Sequence, residues 1–126
     1  MTDEDRDRTE VEQFVLDEID SVPHLEALLL FWNRRPQEWS VEELAKSLYL
    51  APEQTRPIVM DLERQGFITA NADKRFQYRS TARDNTIEKL DQIYRRQVVR
   101  ISTIIHSKPA ASLREFARAF RLKKDN

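Results

Sequence analysis

With 126 residues, 40% of them hydrophobic and 34% charged, the chain is long enough for one domain with a modest core. The lack of cysteine excludes disulfides, thiolate metal sites and cysteine nucleophiles, and the longest apolar run, residues 27–32, is far too short to cross a bilayer. The net charge of −1 hides an asymmetry, because residues 1–20 carry nine acids and two bases (−7) and residues 21–126 carry +6. We therefore expect a cytoplasmic protein with no membrane partner, whose acidic N-terminus is either a solvated tail or an arm that competes for the basic body.

The first segment predicts a charged tail followed by two helices. Residues 1–8 are almost all charged or polar and are expected to be disordered. Thr9 and Glu12 have the spacing of a capping box, which predicts an N-terminal flanking helix over residues 9–20. Pro23 suits the first turn of the next helix, whose strongly apolar residues 24–33 are expected to be buried at the centre of the domain.

The stretch 39–79 predicts the order helix, turn, helix, hairpin. Ser40 and Glu43 form a second capping box, and the amphipathic segment 52–65 ends at Gly66, the only glycine in the chain. Glycine adopts positive φ without steric cost, so this position indicates a helix C-terminus. Two short alternating runs, 67–69 and 75–79, flank a polar turn that lacks the Asn-Gly pair of the tightest hairpins, so a longer loop is expected.

The C-terminal residues 84–126 predict helices for packing or dimerisation. A cap at Asp84 or Asn85 begins a long helix that reaches about His106, and a short basic amphipathic helix follows over residues 112–124. The short helix either docks on the rest of the protein or binds a partner. The long helix has a wide apolar stripe that either covers the domain's own core or pairs with a symmetry mate. We expect a homodimer, with these interface residues: Phe14, Ile87, Leu90, Tyr94, Val98, Ile101 and Ile105.

The run Leu62-x-x-x-Gly66-Phe67-Ile68, preceded by Trp39 and the sequence Ser-Val-Glu-Glu-Leu-Ala, resembles the winged helix-turn-helix superfamily. The greatest similarity is to bacterial one-domain transcriptional regulators of the MarR and PadR kind, over roughly residues 22–80, which places the winged domain at 21–83. The resemblance implies a mainly α-helical fold with a small β-hairpin and flanking helices that form a dimer. It also implies that helix 52–65 enters the major groove of double-stranded DNA while the hairpin contacts phosphates or the minor groove.

Residues of helix 52–65 and the hairpin are the expected DNA contacts of a sequence-specific transcription regulator. Region 69–83 carries four bases against one acid, a net +3 that suits phosphate contacts. Glutamine commonly reads adenine and arginine commonly reads guanine, so Gln54 and Arg56 are the expected base contacts. The full set of expected DNA-binding residues is Gln54, Arg56, Arg64, Lys74, Arg75, Gln77 and Arg79.

Two alternatives to DNA binding remain open. Helix 52–65 contains three acids, an internal proline, Pro57, and an apolar residue, Met60, at an expected contact position. These features favour a winged-helix module that binds another protein, such as an adaptor of a second transcription factor. A weaker alternative is a small-molecule sensor with a pocket between the long helix and the winged core.

Catalysis and cofactor binding are not expected. His24 and His106 are the only histidines, and without cysteine or a second histidine at ligand spacing the sequence predicts no metal site. A single glycine makes a phosphate-binding loop implausible, and no Ser-His-Asp arrangement or paired-acid cleft can be recognised. We therefore expect a non-enzyme without a cofactor.

Overall fold

The computed structural model describes residues 2–108, in which six helices and a two-stranded antiparallel sheet follow one another as α1–α2–α3–α4–β1–β2–α5–α6. The elements are α1 (Asp3–Glu18), α2 (Val22–Asn33), α3 (Val41–Leu48), α4 (Pro52–Arg64), β1 (Ile68–Ala70), β2 (Phe76–Tyr78), α5 (Asp84–Arg96) and α6 (Val98–His106). The predicted fold class, mainly α-helical with a small hairpin, is confirmed. The short helix predicted at 112–124 lies outside the described residues. None of the described helices is long and apolar enough to cross a membrane.

Helix α1 begins earlier than predicted and takes in most of the residues expected to be disordered. Its N-cap is Thr2, whose hydroxyl accepts a hydrogen bond from the amide of Asp5 at 3.2 Å. Three acids occupy its first turn, where carboxylates are stabilised by the positive end of the helix dipole. Thr9, the predicted cap, lies inside the helix and donates its hydroxyl to the carbonyl of Asp5. The Thr9 capping box is therefore not used.

The acids of α1 form ion pairs with basic residues near the other end of the chain. Lys89 of α5 lies 2.8 Å from Glu10 and 3.2 Å from Asp7, and Arg100 of α6 lies 2.5 Å from Glu12. Hydrogen bonding to Lys89 lowers the pKa of Glu10 below its ordinary value, although burial acts in the opposite direction. The acidic N-terminal segment is thus neither a solvated tail nor an arm on the basic wing, because it lies along α5 and α6.

Helix α2 is the central helix of the core, as its apolar sequence predicts. Leu25, Leu28 and Phe31 on α2 are almost completely buried. The helix contacts α3, α4, α5 and β2, so its apolar surface has a partner on several sides. Side chains from the surrounding elements complete this core: Val59 and Leu62 of α4, Phe67, Ile68 of β1, and Ile87 and Leu90 of α5.

The long C-terminal helix is broken at Gln97, whose φ of −134° and ψ of 50° are not helical. The break gives α5 and α6, and α6 packs against both α1 and α5. Five of the residues expected at a dimer interface consequently lie in the core of a single chain: Phe14, Ile87, Leu90, Ile101 and Ile105. Of the other two, Tyr94 is half-buried and Val98 is 46% exposed. The apolar stripe therefore mainly covers the chain's own core.

Candidate nucleic-acid interface

Helices α3 and α4 form a helix-turn-helix whose boundaries follow from local chemistry. Ser40 and Glu43 make the predicted capping box at the start of α3, each side chain accepting from the other residue's amide at 3.1 Å. Tyr49 ends α3 in the left-handed conformation, with φ 58°, and the amide of Leu50 donates to the carbonyl of Ala45. Residues 49–51 lead directly into α4, so the two helices are joined by a tight turn.

Helix α4 presents a mixed surface of polar, charged and apolar side chains. Gln54 accepts a hydrogen bond from the amide of Ala51 at 3.1 Å and so helps to begin the helix. Thr55 is completely buried and donates its hydroxyl to the carbonyl of Ala51, which agrees with its predicted inward orientation. Pro57 lies inside the helix and has no amide to donate to the carbonyl of Glu53. The exposed residues of α4 are Glu53, Gln54, Arg56, Pro57, Met60, Glu63 and Arg64.

The hairpin forms a small wing with a longer loop, as predicted. Ile68 pairs with Tyr78, Thr69 with Gln77 and Ala70 with Phe76. At the tip, the side chain of Asn71 accepts hydrogen bonds from the amides of Asp73 and Arg75 at 2.9 and 3.0 Å. Lys74 at the tip has a positive φ of 59°. Trp39 exchanges two backbone hydrogen bonds with Phe76, so the segment before α3 is attached to the wing by one isolated antiparallel bridge.

Arg75 holds the wing against α3. One of its guanidinium nitrogens lies 2.6 Å from Oε1 of Glu43, and another donates to the carbonyl of Glu38 at 3.0 Å. The hydrogen bond from Arg75, with those from Ser40, lowers the pKa of Glu43 to about 2. The Glu43 carboxylate thus joins the start of α3 to the wing, and the guanidinium of Arg75 is paired within the protein although its side chain is 37% exposed.

Arg56 of α4 and Lys74 of the wing line one surface groove of about 370 Å³, which we call the α4–wing groove. Its apolar lining is Val41, Met60, Ala70 and Phe76, and its acidic members are Glu42 and Glu63. Within residues 2–108, neither Arg56 nor Lys74 forms an ion pair. The same holds for Arg79, which is exposed just after β2. Arg56, Lys74 and Arg79 are thus the cations of the predicted set that form no ion pair within the described residues.

The remaining predicted DNA contacts have partners or partial burial. Gln54 is used at the start of α4, Arg64 is ion-paired with Asp61, and Gln77 is half-buried. Arg83, which contributed to the predicted positive charge of the wing, lies 3.9 Å above the ring of Phe67 and donates to the carbonyl of Gln65 at 2.7 Å. The accessible positive charge is therefore smaller than the sequence count indicated.

Tyr49 is an exposed aromatic residue that the sequence did not single out. Its side chain is 95% exposed and stands in the turn immediately before α4. Bulky residues seldom occupy the left-handed region, since the Cβ approaches the following carbonyl. A tyrosine that follows an amphipathic helix is usually expected to pack inward, so no sequence signal could have found this exposure.

Three potential metal ligands from separate segments of the chain, one of them on α4, lie close to one another. One ligand atom each of Asp20, His24 and Asp61 lies within 4.8 Å of the other two. The Nε2 atom of His24 is 2.8 Å from Oδ2 of Asp61. Sequence spacing could not predict this cluster, because 37 positions separate His24 from Asp61.

The order of these elements and the helix-turn-helix with its wing define the winged-helix fold of MarR-type structures, as the sequence predicted. A MarR family protein from Bacillus stearothermophilus aligns with 96% of this chain and 84% of its own, at 18% identity and a TM-score of 0.54. A point mutant of Staphylococcus aureus MepR bound to an oligodeoxyribonucleotide aligns with 95% of this chain and 88% of its own, at 13% identity and a TM-score of 0.54. S. aureus MepR bound to ethidium bromide aligns with 95% of this chain and 86% of its own, at 13% identity and a TM-score of 0.52. No protein-family model and no curated protein matches the chain.

Proposed function

We propose that this protein is a DNA-binding transcription regulator that acts as a homodimer in the bacterial cytoplasm and recognises a specific sequence through α4 and the wing. Helix α4 is assigned to the major groove, with Arg56 reading a base edge and Gln54 contributing beside it. Lys74 and Arg79 are assigned to phosphates. No catalytic role is proposed.

The observation that carries this proposal is the convergence of Arg56 and Lys74 on the α4–wing groove. They come from different elements, line the same groove and have no ionic partner among residues 2–108. A duplex seated on this face supplies phosphates to both, and long cations without internal partners lose no existing ion pair on binding. The similarity to a MepR structure bound to an oligodeoxyribonucleotide supports the assignment of this face at the level of the fold.

The test is fluorescence anisotropy of a labelled random-sequence duplex with the purified protein at several salt concentrations. We expect affinity to fall steeply with salt, because phosphate contacts release counterions. Lys74→Ala and Arg79→Ala should each weaken binding to all duplexes and reduce the logarithmic salt slope by about 1. Once a preferred site has been selected, Arg56→Ala should lose about 1–3 kcal/mol of discrimination at one base pair.

Arg6→Ala is the matched control, since Arg6 is an exposed arginine on α1 with a side chain 71% exposed. It should leave both affinity and slope unchanged. Arg75→Ala is expected to weaken binding indirectly, because it frees the wing from Glu43. Equal affinity of the parent, Lys74→Ala and Arg79→Ala across the salt series would show that the wing does not contact DNA.

A protein-binding module is the alternative that a specific feature supports. Met60 is 39% exposed on the apolar lining of the α4–wing groove, and Glu42 and Glu63 bring negative charge to the same place. A protein partner can bind a surface that mixes apolar and acidic side chains more favourably than DNA, a polyanion, can. This alternative predicts that the protein shows no detectable DNA binding at low salt. It also predicts that the parent captures a partner protein and that Met60→Glu does not.

A further inference from the structure

The cluster of Asp20, His24 and Asp61 lies outside the α4–wing groove and joins three segments of the chain. Asp20 belongs to the link between α1 and α2, His24 to the first turn of α2, and Asp61 to the second half of α4. The His24 side chain is 13% exposed and that of Asp61 is 27% exposed, so both are partly shielded but reachable from solvent. Their ligand atoms, together with one from Asp20, fall within 4.8 Å of one another.

Ser21 holds the His24 ring in the orientation that a metal ligand requires. Its hydroxyl oxygen lies 2.5 Å from Nδ1 of His24 and also accepts the His24 amide at 3.2 Å. A hydroxyl can either donate to Nδ1 or accept from it. When Nδ1 carries the proton and donates to Ser21, the lone pair of Nε2 points toward the carboxylate of Asp61. Metal-ligating histidines almost always have their other N–H held by an oxygen in this way.

We propose that Asp20, His24 and Asp61 form a binding site for a first-row divalent metal ion of the Zn²⁺ type. Nε2 of His24 and one carboxylate oxygen from each aspartate supply three ligands, and water completes a tetrahedral shell. An imidazole with two carboxylates and no sulfur suits Zn²⁺, Co²⁺ or Mn²⁺ better than a soft ion such as Cu⁺. The ion takes the place of the hydrogen bond between Nε2 and Asp61, and the ring proton resides on Nδ1. This site departs from the absence of a metal site expected from the sequence.

Binding would stabilise the fold and act directly on α4. The three ligands hold the α1–α2 link, α2 and α4 together only in the folded chain, so a bound ion favours the folded state. The second carboxylate oxygen of Asp61 is ion-paired with Arg64, an expected DNA contact. A dication on Asp61 weakens its attraction for Arg64 and releases that guanidinium toward a phosphate. This consequence for DNA affinity rests on the proposed function, whereas the site itself does not.

The test uses the full chain without an affinity tag, after treatment with a chelator, and needs no DNA. Calorimetric titration with Zn²⁺ should show one bound ion per chain. Co²⁺ bound in its place should produce a visible absorption band, which should disappear when Zn²⁺ displaces the Co²⁺. The melting temperature should rise with the Zn²⁺ concentration. His24→Gln, Asp61→Asn and Asp20→Asn should each weaken Zn²⁺ binding, and Ser21→Ala should weaken it as well, by about 10–100-fold in each case.

His106→Gln is the matched control, because His106 is an exposed histidine at the end of α6. It should leave Zn²⁺ affinity unchanged. The proposal is overturned if the parent binds Zn²⁺ no more tightly than His24→Gln, or if His106→Gln loses as much affinity as His24→Gln. Circular dichroism establishes that each variant is folded, and Asp20→Asn decides the matter if His24→Gln is unfolded, since Asp20 lies in the link between helices.

A separate measurement tests the effect on DNA. Zn²⁺ should raise the affinity for duplex DNA in the parent but not in Arg64→Gln, which should still bind one Zn²⁺. Unchanged DNA affinity in a Zn²⁺-loaded parent that does bind DNA would refute the coupling through Arg64. Failure to bind any duplex, with Zn²⁺ binding intact, would instead refute the proposed function and leave the metal site standing.

Discussion

Three described residues have positive φ, and each lies in a turn that connects two elements of the helix-turn-helix or its wing. Gly66 has φ 85° between α4 and β1, Tyr49 has φ 58° after α3, and Lys74 has φ 59° at the tip of the wing. For residues other than glycine this region costs roughly 1–2 kcal/mol. Only one of the three positions is filled by the residue that avoids this cost, so the chain carries local strain at the turn before α4 and at the wing.

Gly66→Ala is predicted to destabilise the protein by about 1–2 kcal/mol, because alanine must adopt the left-handed conformation there. A Cβ at this position would lie 3.4 Å from a guanidinium nitrogen of Arg83, a contact that is tight but tolerable, so the backbone supplies most of the cost. Urea unfolding measures the change. A Gly66→Ala variant as stable as the parent would contradict the positive φ of Gly66.

The converse substitution, Tyr49→Gly, should stabilise the chain by up to ~1 kcal/mol, since little packing is lost.

At the residue scale, local signals were readable from the sequence and long-range partners were not. The capping box of Ser40 and Glu43 and the helix end at Gly66 depend on neighbours a few positions away, and the structure has both. The contacts of Arg75 with Glu43 and of Arg83 with Phe67 depend on how the wing and α5 pack, which no local pattern encodes. For this reason the sequence could not show that Arg75, a predicted DNA contact, pairs with Glu43, or that Arg83, counted in the positive charge of the wing, lies over Phe67.

Among the elements, α4 is the one whose sequence opposes its own conformation. Pro57 occupies its interior, so the carbonyl of Glu53 has no amide donor one turn later. The helix persists because Thr55, Ile58, Val59 and Leu62 bury one face of it. Tertiary packing therefore outweighs the intrinsic preference of the segment.

Pro57→Ala is predicted to raise the free energy of unfolding by about 1–3 kcal/mol, since alanine restores the missing donor and relieves the clash with the preceding turn. Chemical denaturation followed by far-ultraviolet circular dichroism measures the effect. Arg56→Ala is the control, because it changes an exposed neighbour without altering a backbone group, and it should change stability by less than about 0.5 kcal/mol. A loss of stability in Pro57→Ala would show that the proline is favourable where it stands.

The break between α5 and α6 shows why element boundaries were harder to predict than element types. Gln97 is neither glycine nor proline, and the apolar pattern continues on both sides of it, so the sequence favoured one helix. The break becomes favourable once α6 can place Ile101 and Ile105 against the rest of the core. The packing of α6 depends on α1, which lies far away in sequence. The same packing explains why Ile101 and Ile105, which were expected at a dimer interface, are buried in the core of one chain.

At the scale of the whole fold, residues 2–108 leave a smaller apolar surface for a second subunit than the sequence predicted. Val98 is 46% exposed and Val99 is 79% exposed at the start of α6, and Leu16 on α1 is 43% exposed. We propose that a homodimer uses this surface, in place of the five predicted residues that are buried in one chain. An exposed apolar group of this kind is compatible with pairing through a two-fold axis.

Val99→Glu is predicted to shift the dimer toward monomer, because a paired interface would bury the new carboxylate. Sedimentation equilibrium over a range of concentrations measures the dissociation constant of the dimer. This constant should increase at least about tenfold, which corresponds to a loss of about 1.4 kcal/mol of association free energy. Met60→Glu, an equivalent change in the α4–wing groove, should leave self-association unaltered. A monomeric parent at high concentration would refute the homodimer.

The contacts of α1 give the chain an order of assembly. Helix α1 is made before the other described elements, yet it packs mainly against α5 and α6, which are the last of them to be made. The helix-turn-helix and its wing have most of their contacts with one another and with α2, so their partners are all available earlier. An emerging chain thus holds an unpartnered N-terminal helix until the region around Ile105 has left the exit tunnel. Completion of the domain therefore waits for α5 and α6 to be made, and a chain truncated before them would expose Val11 and Val15, which are otherwise completely buried.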